Sequence, residues 1–201
     1  PSDRRSAARG PPDGGAATLL DDTHPPHRTA SGGYKAVLVV QDIFAREVWT
    51  RVLVDENNIP SVFLKFLGEV ERKPRQLITD GASIFTARAF QGMMREQDME
   101  HQVKTSVNDI ATVDRAIGQL KVQISLLAQQ PGNAGNWYDN IERATEELNG
   151  AESRYLTTAA GKATPESVIY DDELRFELRR KNAGFMERNA ANTKGRREKL
   201  D

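Results

Sequence analysis

Cysteine is absent from this chain. That excludes disulfides, thiolate nucleophiles and every zinc site that depends on cysteine ligands. Histidine is scarce, with three in 201 residues. Two of them, His24 and His27, flank a Pro-Pro pair with no further His or Cys nearby, so no metal site is expected there. Long apolar runs are missing as well. The longest, residues 36–40, falls far short of the roughly 20 residues that span a bilayer, and no membrane partner is expected. Arginines near the N-terminus have no apolar stretch behind them, so no secretory signal is expected either. A strong charge of one sign is lacking too. With 28 basic and 29 acidic residues the net charge is −1, which leaves no overall basic surface to grip DNA. The balance shifts only at residues 188–201, where Arg188, Lys194, Arg196, Arg197 and Lys199 face Glu198 and Asp201. A tail of that kind can touch phosphate or simply be solvated. The 38% hydrophobic and 28% charged shares describe a modest core, enough for one ordinary domain with tails.

Residues 1–33 are rich in Pro, Gly, Ser, Ala, Arg and Asp without apolar periodicity. Such a segment is expected to be a disordered leader or linker, because it buries too little surface to offset its ordering entropy. From Tyr34 the pattern changes. Residues 35–41 form a continuous Val/Leu-rich run, as expected of a strand covered on both faces, and Asp42 follows at once. Residues 47–54 read as the second arm of a hairpin. A helical stripe begins at Ile59 and takes in Val62, Phe63, Phe66, Leu67 and Val70 before Pro74. Residues 76–79 predict a short buried strand that delivers Asp80. A second helix follows with Phe90, Met93 and Met94 inward, and residues 99–104 suit another strand.

The longest helix is predicted from Ile110, Val113, Ile117, Leu120, Ile124 and Leu127, stopped by Pro131-Gly132. A further stripe runs Trp137, Ile141, Ala144, Leu148, Ala151 and Tyr155. Thr164-Pro165 predicts an N-cap with proline at the first helical position, opening a short helix to about Tyr170. Strand–helix alternation of this kind predicts an α/β domain with helices on both faces of one mixed sheet. The core is expected over residues 34–172, and 173–201 as a charged extension, partly helical and then disordered.

Three aspartates carry the candidate chemistry. Asp42 and Asp80 each follow a buried strand, where ligands of open sheets gather, although an acid there is also an ordinary turn-former. Asp114 lies beside the apolar stripe of the longest helix, where a solvated charge is also common. Their joint context points further. Val39-Val40-Gln41-Asp42-Ile43-Phe44-Ala45-Arg46-Glu47-Val48-Trp49 is similar to a strand ending in Asp, then an aromatic, a small residue, Arg and Trp. Leu77-Ile78-Thr79-Asp80-Gly81-Ala82-Ser83-Ile84-Phe85 resembles an Asp-Asn-Gly-Ser-Glu-Phe signature. Ala111-Thr112-Val113-Asp114-Arg115, then Leu120-Lys121, resembles Gly-x-x-Glu-Arg with a downstream Leu-Lys. Trp137, Leu148-Asn149 and Thr164-Pro165-Glu166-Ser167-Val168-Ile169-Tyr170 continue the match. In this order the segments resemble the catalytic core of retroviral and retrotransposon integrases, of the ribonuclease-H-like superfamily. Thirty-odd residues separate Asp80 from Asp114, as in that family's D,D-35-E spacing.

The resemblance implies a polynucleotidyl transferase and endonuclease for DNA integration. It would process element 3′ ends and join them to target DNA with Mg²⁺ or Mn²⁺, two ions held by Asp42, Asp80 and Asp114. It also implies that Lys121 and Arg115 contact nucleic acid, that the chain forms a homo-oligomer, and that it works in the nucleus or a virus-like particle. Departures from the family gather at the site: Asp114 stands for Glu, Gly81 for Asn, Ala82 for Gly, Ile84 for a polar residue and Ala111 for Gly. The missing methylene of Asp114 costs about an ångström of reach, and such a misplacement can lose on the order of a hundredfold in rate. A degenerate core kept as a binding or scaffold module is therefore the alternative. A ribonuclease H acting on RNA–DNA hybrids fits less well, since it needs a Glu on the first helix, whose inward positions here are apolar.

Overall fold

A computed structural model describes residues 14–21, 33–70, 72–104, 111–133 and 136–197, with 14–21 and 185–197 described as backbone. It divides into two compact units, Pro1–Leu148 and Asn149–Asp201.

The first unit is built on a five-stranded sheet. Its strands are β1 (Gly14–Asp21), β2 (Ala36–Asp42), β3 (Val48–Leu53), β4 (Gln76–Thr79) and β5 (Glu100–Val103), in the spatial order β3-β2-β1-β4-β5. β2 runs antiparallel to both β1 and β3, whereas β4 runs parallel to both β1 and β5. Helices α1 (Ile59–Glu69), α2 (Ser83–Thr86), α3 (Arg88–Glu96), α4 (Ala111–Ala128) and α5 (Trp137–Gly150) complete it.

Strand alternation explains why residues 36–40 read as an unbroken apolar run. Ala36, Leu38 and Val40 enter one core with Phe63, Phe66 and Leu67 of α1 and Phe90, Met93 and Met94 of α3. Val37 and Val39 enter a second core with Val113, Ala116, Leu120, Ile124 and Leu127 of α4 and Trp137, Ile141 and Ala144 of α5. A strand sandwiched in this way has no polar face to alternate with. Each fully buried Leu or Phe contributes about 1.5–3 kcal/mol relative to exposure. The inward residues of α1 (Ile59, Phe63, Phe66, Leu67) are all apolar, which leaves no place for a first-helix glutamate. Ile110, expected to open the α4 stripe, lies outside the described residues.

Three expectations are corrected here. Gly14–Asp21, read as part of a leader, is the strand at the middle of the sheet, paired with β2 on one side and β4 on the other. Its pairing partners are distant in sequence, so tertiary hydrogen bonding overrides a composition of glycine, alanine and threonine with weak periodicity. The stripe expected to run on to Tyr155 stops earlier. α5 ends at Gly150, and Tyr155 lies exposed on strand β6 (Ser153–Thr157). The helix expected after Ser83 is split into α2 and α3 by Ala87, whose backbone is extended at φ −61° and ψ 145°.

The second unit holds the hairpin of β6 and β7 (Lys162–Ala163), α6 (Pro165–Tyr170) and α7 (Asp172–Arg197). Thr164 caps α6 in a reciprocal box with Ser167, and Pro165 occupies the first turn, as expected. Buried Arg175 of α7 donates to the carbonyls of Val168 and Ile169, satisfying the open C-terminal end of α6. Among the described residues no helix is long and apolar enough to cross a membrane.

The position of β1 gives a direct test. Deleting residues 1–21 removes the strand that links β2 to β4, and cooperative thermal unfolding of the first unit should be lost. A dispensable leader would leave the unfolding midpoint unchanged.

Candidate functional site

The chemistry of the site begins at the carboxyl end of β4. Leu77 belongs to the α1/α3 core and Ile78 packs against the α4/α5 core. The alternation therefore sends Thr79 to the α3 side and Asp80 to the α4 side. Asp80 is half-buried and its Oδ1 accepts the Ala82 amide at 3.1 Å, a local turn that fixes the start of the following loop.

Asp114 comes from the first turn of α4. Buried Val113 anchors that turn against the sheet, and Asp114, one position on, sits at the exposed rim. Its carboxyl pKa is raised, first by partial burial and then by the negative charge of Asp80. Two acids separated by thirty-odd residues thus feel each other, as expected if they share a site. Arg115 and Lys121 are both exposed on α4. Lys121 lies two turns after Asp114, on the same side of the helix.

Asp42 lies elsewhere. It is the last residue of β2 and pairs with Gly15, which in turn pairs with Leu77 near the amino end of β4. Because β2 is antiparallel to β4, its carboxyl end points to the opposite edge of the sheet. Two strands across and three residues along give roughly 14 Å between the Asp42 and Asp80 backbones. Asp42 also shares the parity of Leu38 and Val40, the α1/α3 side. Its carboxylate accepts the Ala45 amide at 2.5 Å, and its backbone bonds Arg46 and Glu47 across the β2–β3 turn. Asp42 is thus a hairpin turn residue, and the structure does not bring it to Asp80 and Asp114.

One further acid, Asp21, has its backbone toward the carboxyl edge, in register with Ala36 of the α1/α3 core and not with the α4 side that Asp80 takes. It ends β1, which is parallel to β4, and the Thr18-Leu19-Leu20 run before it has the pattern that marked Asp80. Among the described residues, no three His, Cys, Asp or Glu side chains are grouped so as to hold a metal ion.

No protein-family model and no curated protein sequence matches the chain. Solved structures do. One is the HTLV-2 integrase catalytic core domain in complex with magnesium (trimeric form), with a TM-score of 0.60 and 19% identity over 79% of this chain and 96% of that one. Another belongs to the simian T-cell lymphotropic virus intasome in complex with PP2A regulatory subunit B56 gamma, with a TM-score of 0.61 and 16% identity. There the match covers 83% of this chain and only 58% of the other. At such identities the shared property is the fold. The chain has the mixed α/β, ribonuclease-H-like fold of a retroviral integrase catalytic core, as the sequence resemblance implied.

The raised pKa of Asp114 fixes the sign of a stability effect. In the folded chain Asp114 holds its proton to a higher pH than in the unfolded chain. Metal-free stability is therefore highest below the ordinary carboxylate value and falls as pH rises through the raised one. Asp114→Asn should melt higher than the unaltered chain at neutral pH without divalent ions, and the gain should vanish as pH falls into the ordinary carboxylate range. A lower melting temperature for the variant at neutral pH would mean that the ionised carboxylate is stabilised by a partner instead.

Proposed function

We propose that this chain carries the catalytic site of a DNA-integration enzyme, one that processes 3′ ends and transfers them to target DNA. The observation that carries the reading is the approach of Asp80 and Asp114 at the carboxyl end of β4, within an integrase-core fold.

The donor chemistry fits Mg²⁺ or Mn²⁺. Carboxylate oxygens are the hard ligands these ions prefer, and two mutually repelling acids are relieved by a divalent charge. Asp80 and Asp114 would hold the metal, which when bound supplies charge stabilisation to the attacking and leaving oxygens of an in-line phosphoryl displacement. The chain's own contribution is placement. The Asp80–Ala82 turn holds one carboxylate, and the packing of Val113 holds the helix that presents the other. Arg115 and Lys121 are suited to DNA phosphates on the open side of α4. The trimeric form of the HTLV-2 core supports a homo-oligomer, and the proposed reaction implies element and target DNA as partners, in the nucleus or a virus-like particle.

A strand-transfer assay with Mn²⁺ on the full chain tests this. Asp80→Asn and Asp114→Asn should each reduce joining by at least about a hundredfold, the scale on which misplacing a reacting group acts. Asp42→Asn should retain joining. If the unaltered chain folds, binds no metal and joins no DNA, it is a scaffold module. Asp114→Glu then shows whether restoring the missing methylene restores metal binding.

A further inference from the structure

His101 of β5 stands behind the acidic site, on the other side of the sheet. Its ring meets the fully buried ring of Phe90 edge-on, at 5.4 Å between centroids. Its Nδ1 lies 2.6 Å from Gln91 Nε2, and its Nε2 lies 2.9 Å from Thr79 Oγ1. The direction of each bond can be worked out from the donor inventory. An amide nitrogen only donates, so Nδ1 accepts, and the neutral ring carries its proton on Nε2. That proton goes to Thr79 Oγ1, and the threonine hydroxyl in turn donates to the Asp80 carbonyl at 3.0 Å. The second proton of the Gln91 amide goes to the Phe85 carbonyl at 2.8 Å. Burial lowers the pKa of His101, consistent with the neutral ring that this chain of bonds requires.

The network therefore grips the segment from Asp80 to Phe85, a turn running into α2, at both ends, the first through Thr79 and the last through Gln91. Thr79 is completely buried, so the contact is sheltered from competing water. Strand parity puts Thr79 and His101 on the α3 side and Asp80 on the α4 side, so any influence on the carboxylate passes through the backbone.

Resting on the proposed site, we infer that His101, with Thr79 and Gln91, is a positioning group that sets the Asp80 carboxylate against Asp114 for a divalent cation. The network ties the Asp80 carbonyl to β5 through Thr79 and His101, and the Phe85 carbonyl to α3 through Gln91. Hydrogen bonds to the groups that orient a ligand commonly change metal affinity by about 10–100-fold.

Two substitutions separate positioning from mere packing. Thr79→Val keeps the shape and removes the hydroxyl; Thr79→Ser keeps the hydroxyl. Mn²⁺ affinity is measured by calorimetry on the full chain, together with hydrogen exchange at the Ala82 amide without metal. Thr79→Val should weaken Mn²⁺ binding by about 10–100-fold and speed Ala82 exchange, whereas Thr79→Ser should behave like the unaltered chain. Should Thr79→Val fail to fold, Gln91→Leu breaks the same chain of bonds from α3 and is read in the same way. Unchanged Ala82 exchange in the Val variant, or a Ser variant as impaired as Val, overturns the inference. If the unaltered chain binds no Mn²⁺ while Thr79→Val still loosens Ala82, the metal site fails and the positioning role stands.

Discussion

Hydrogen bonding to β1 holds the first unit together. Among the described strands, β2 and β3 form one antiparallel pair and β4 and β5 one parallel pair, and β1 lies between them, bonded to both. Antiparallel pairing on one side and parallel pairing on the other decide which strand ends share an edge of the sheet. That choice sends the carboxyl ends of β1 and β4 one way and the carboxyl end of β2 the other. Helix α4 packs against β1 and β2, which brings its first turn, and Asp114 with it, within electrostatic reach of Asp80. The acidic site thus depends on the direction of a strand that carries little apolar periodicity of its own.

Features that local sequence determines were legible. The unbroken apolar run of β2 reflects helices on both faces, the stripe of α4 reflects one buried side, and Thr164-Pro165 encodes the start of α6 through a cap and a fixed φ. The resemblance to integrase cores, carried by short segments around Asp42, Asp80, Asp114 and Thr164-Pro165, led to the right fold, while the Asp42 segment is the β2–β3 turn. β1 was not legible, because Gly14-Gly15-Ala16-Ala17 has small side chains and its strand character comes from partners far along the chain. The end of α5 was also hidden, since Ala151 and Tyr155 continue the helical spacing after Gly150 has ended the helix.

Asp42 shows why a local motif can mislead. A buried strand followed by an acid describes both a ligand-binding edge and a hairpin turn, and only strand direction separates them. Asp42 accepts the Ala45 amide and closes the β2–β3 turn, while Asp80 closes a smaller turn with Ala82 and faces α4. Both acids make similar local bonds. Their difference lies in the charge across from Asp80, which a turn-former does not need and which costs stability without a cation. Placing a repulsive pair at the carboxyl edge of parallel strands is the arrangement expected of a site built for a ligand.

The claim that follows is spatial: a divalent ion should sit between the end of β4 and the first turn of α4. Paramagnetic broadening of backbone amide signals by substoichiometric Mn²⁺ tests it most directly, because the effect falls steeply with distance from the ion. Broadening should be strongest at Gly81 and Asp114, and weaker across the 42–47 hairpin. Broadening centred on Asp42, or spread evenly over the exposed acids, would contradict the account.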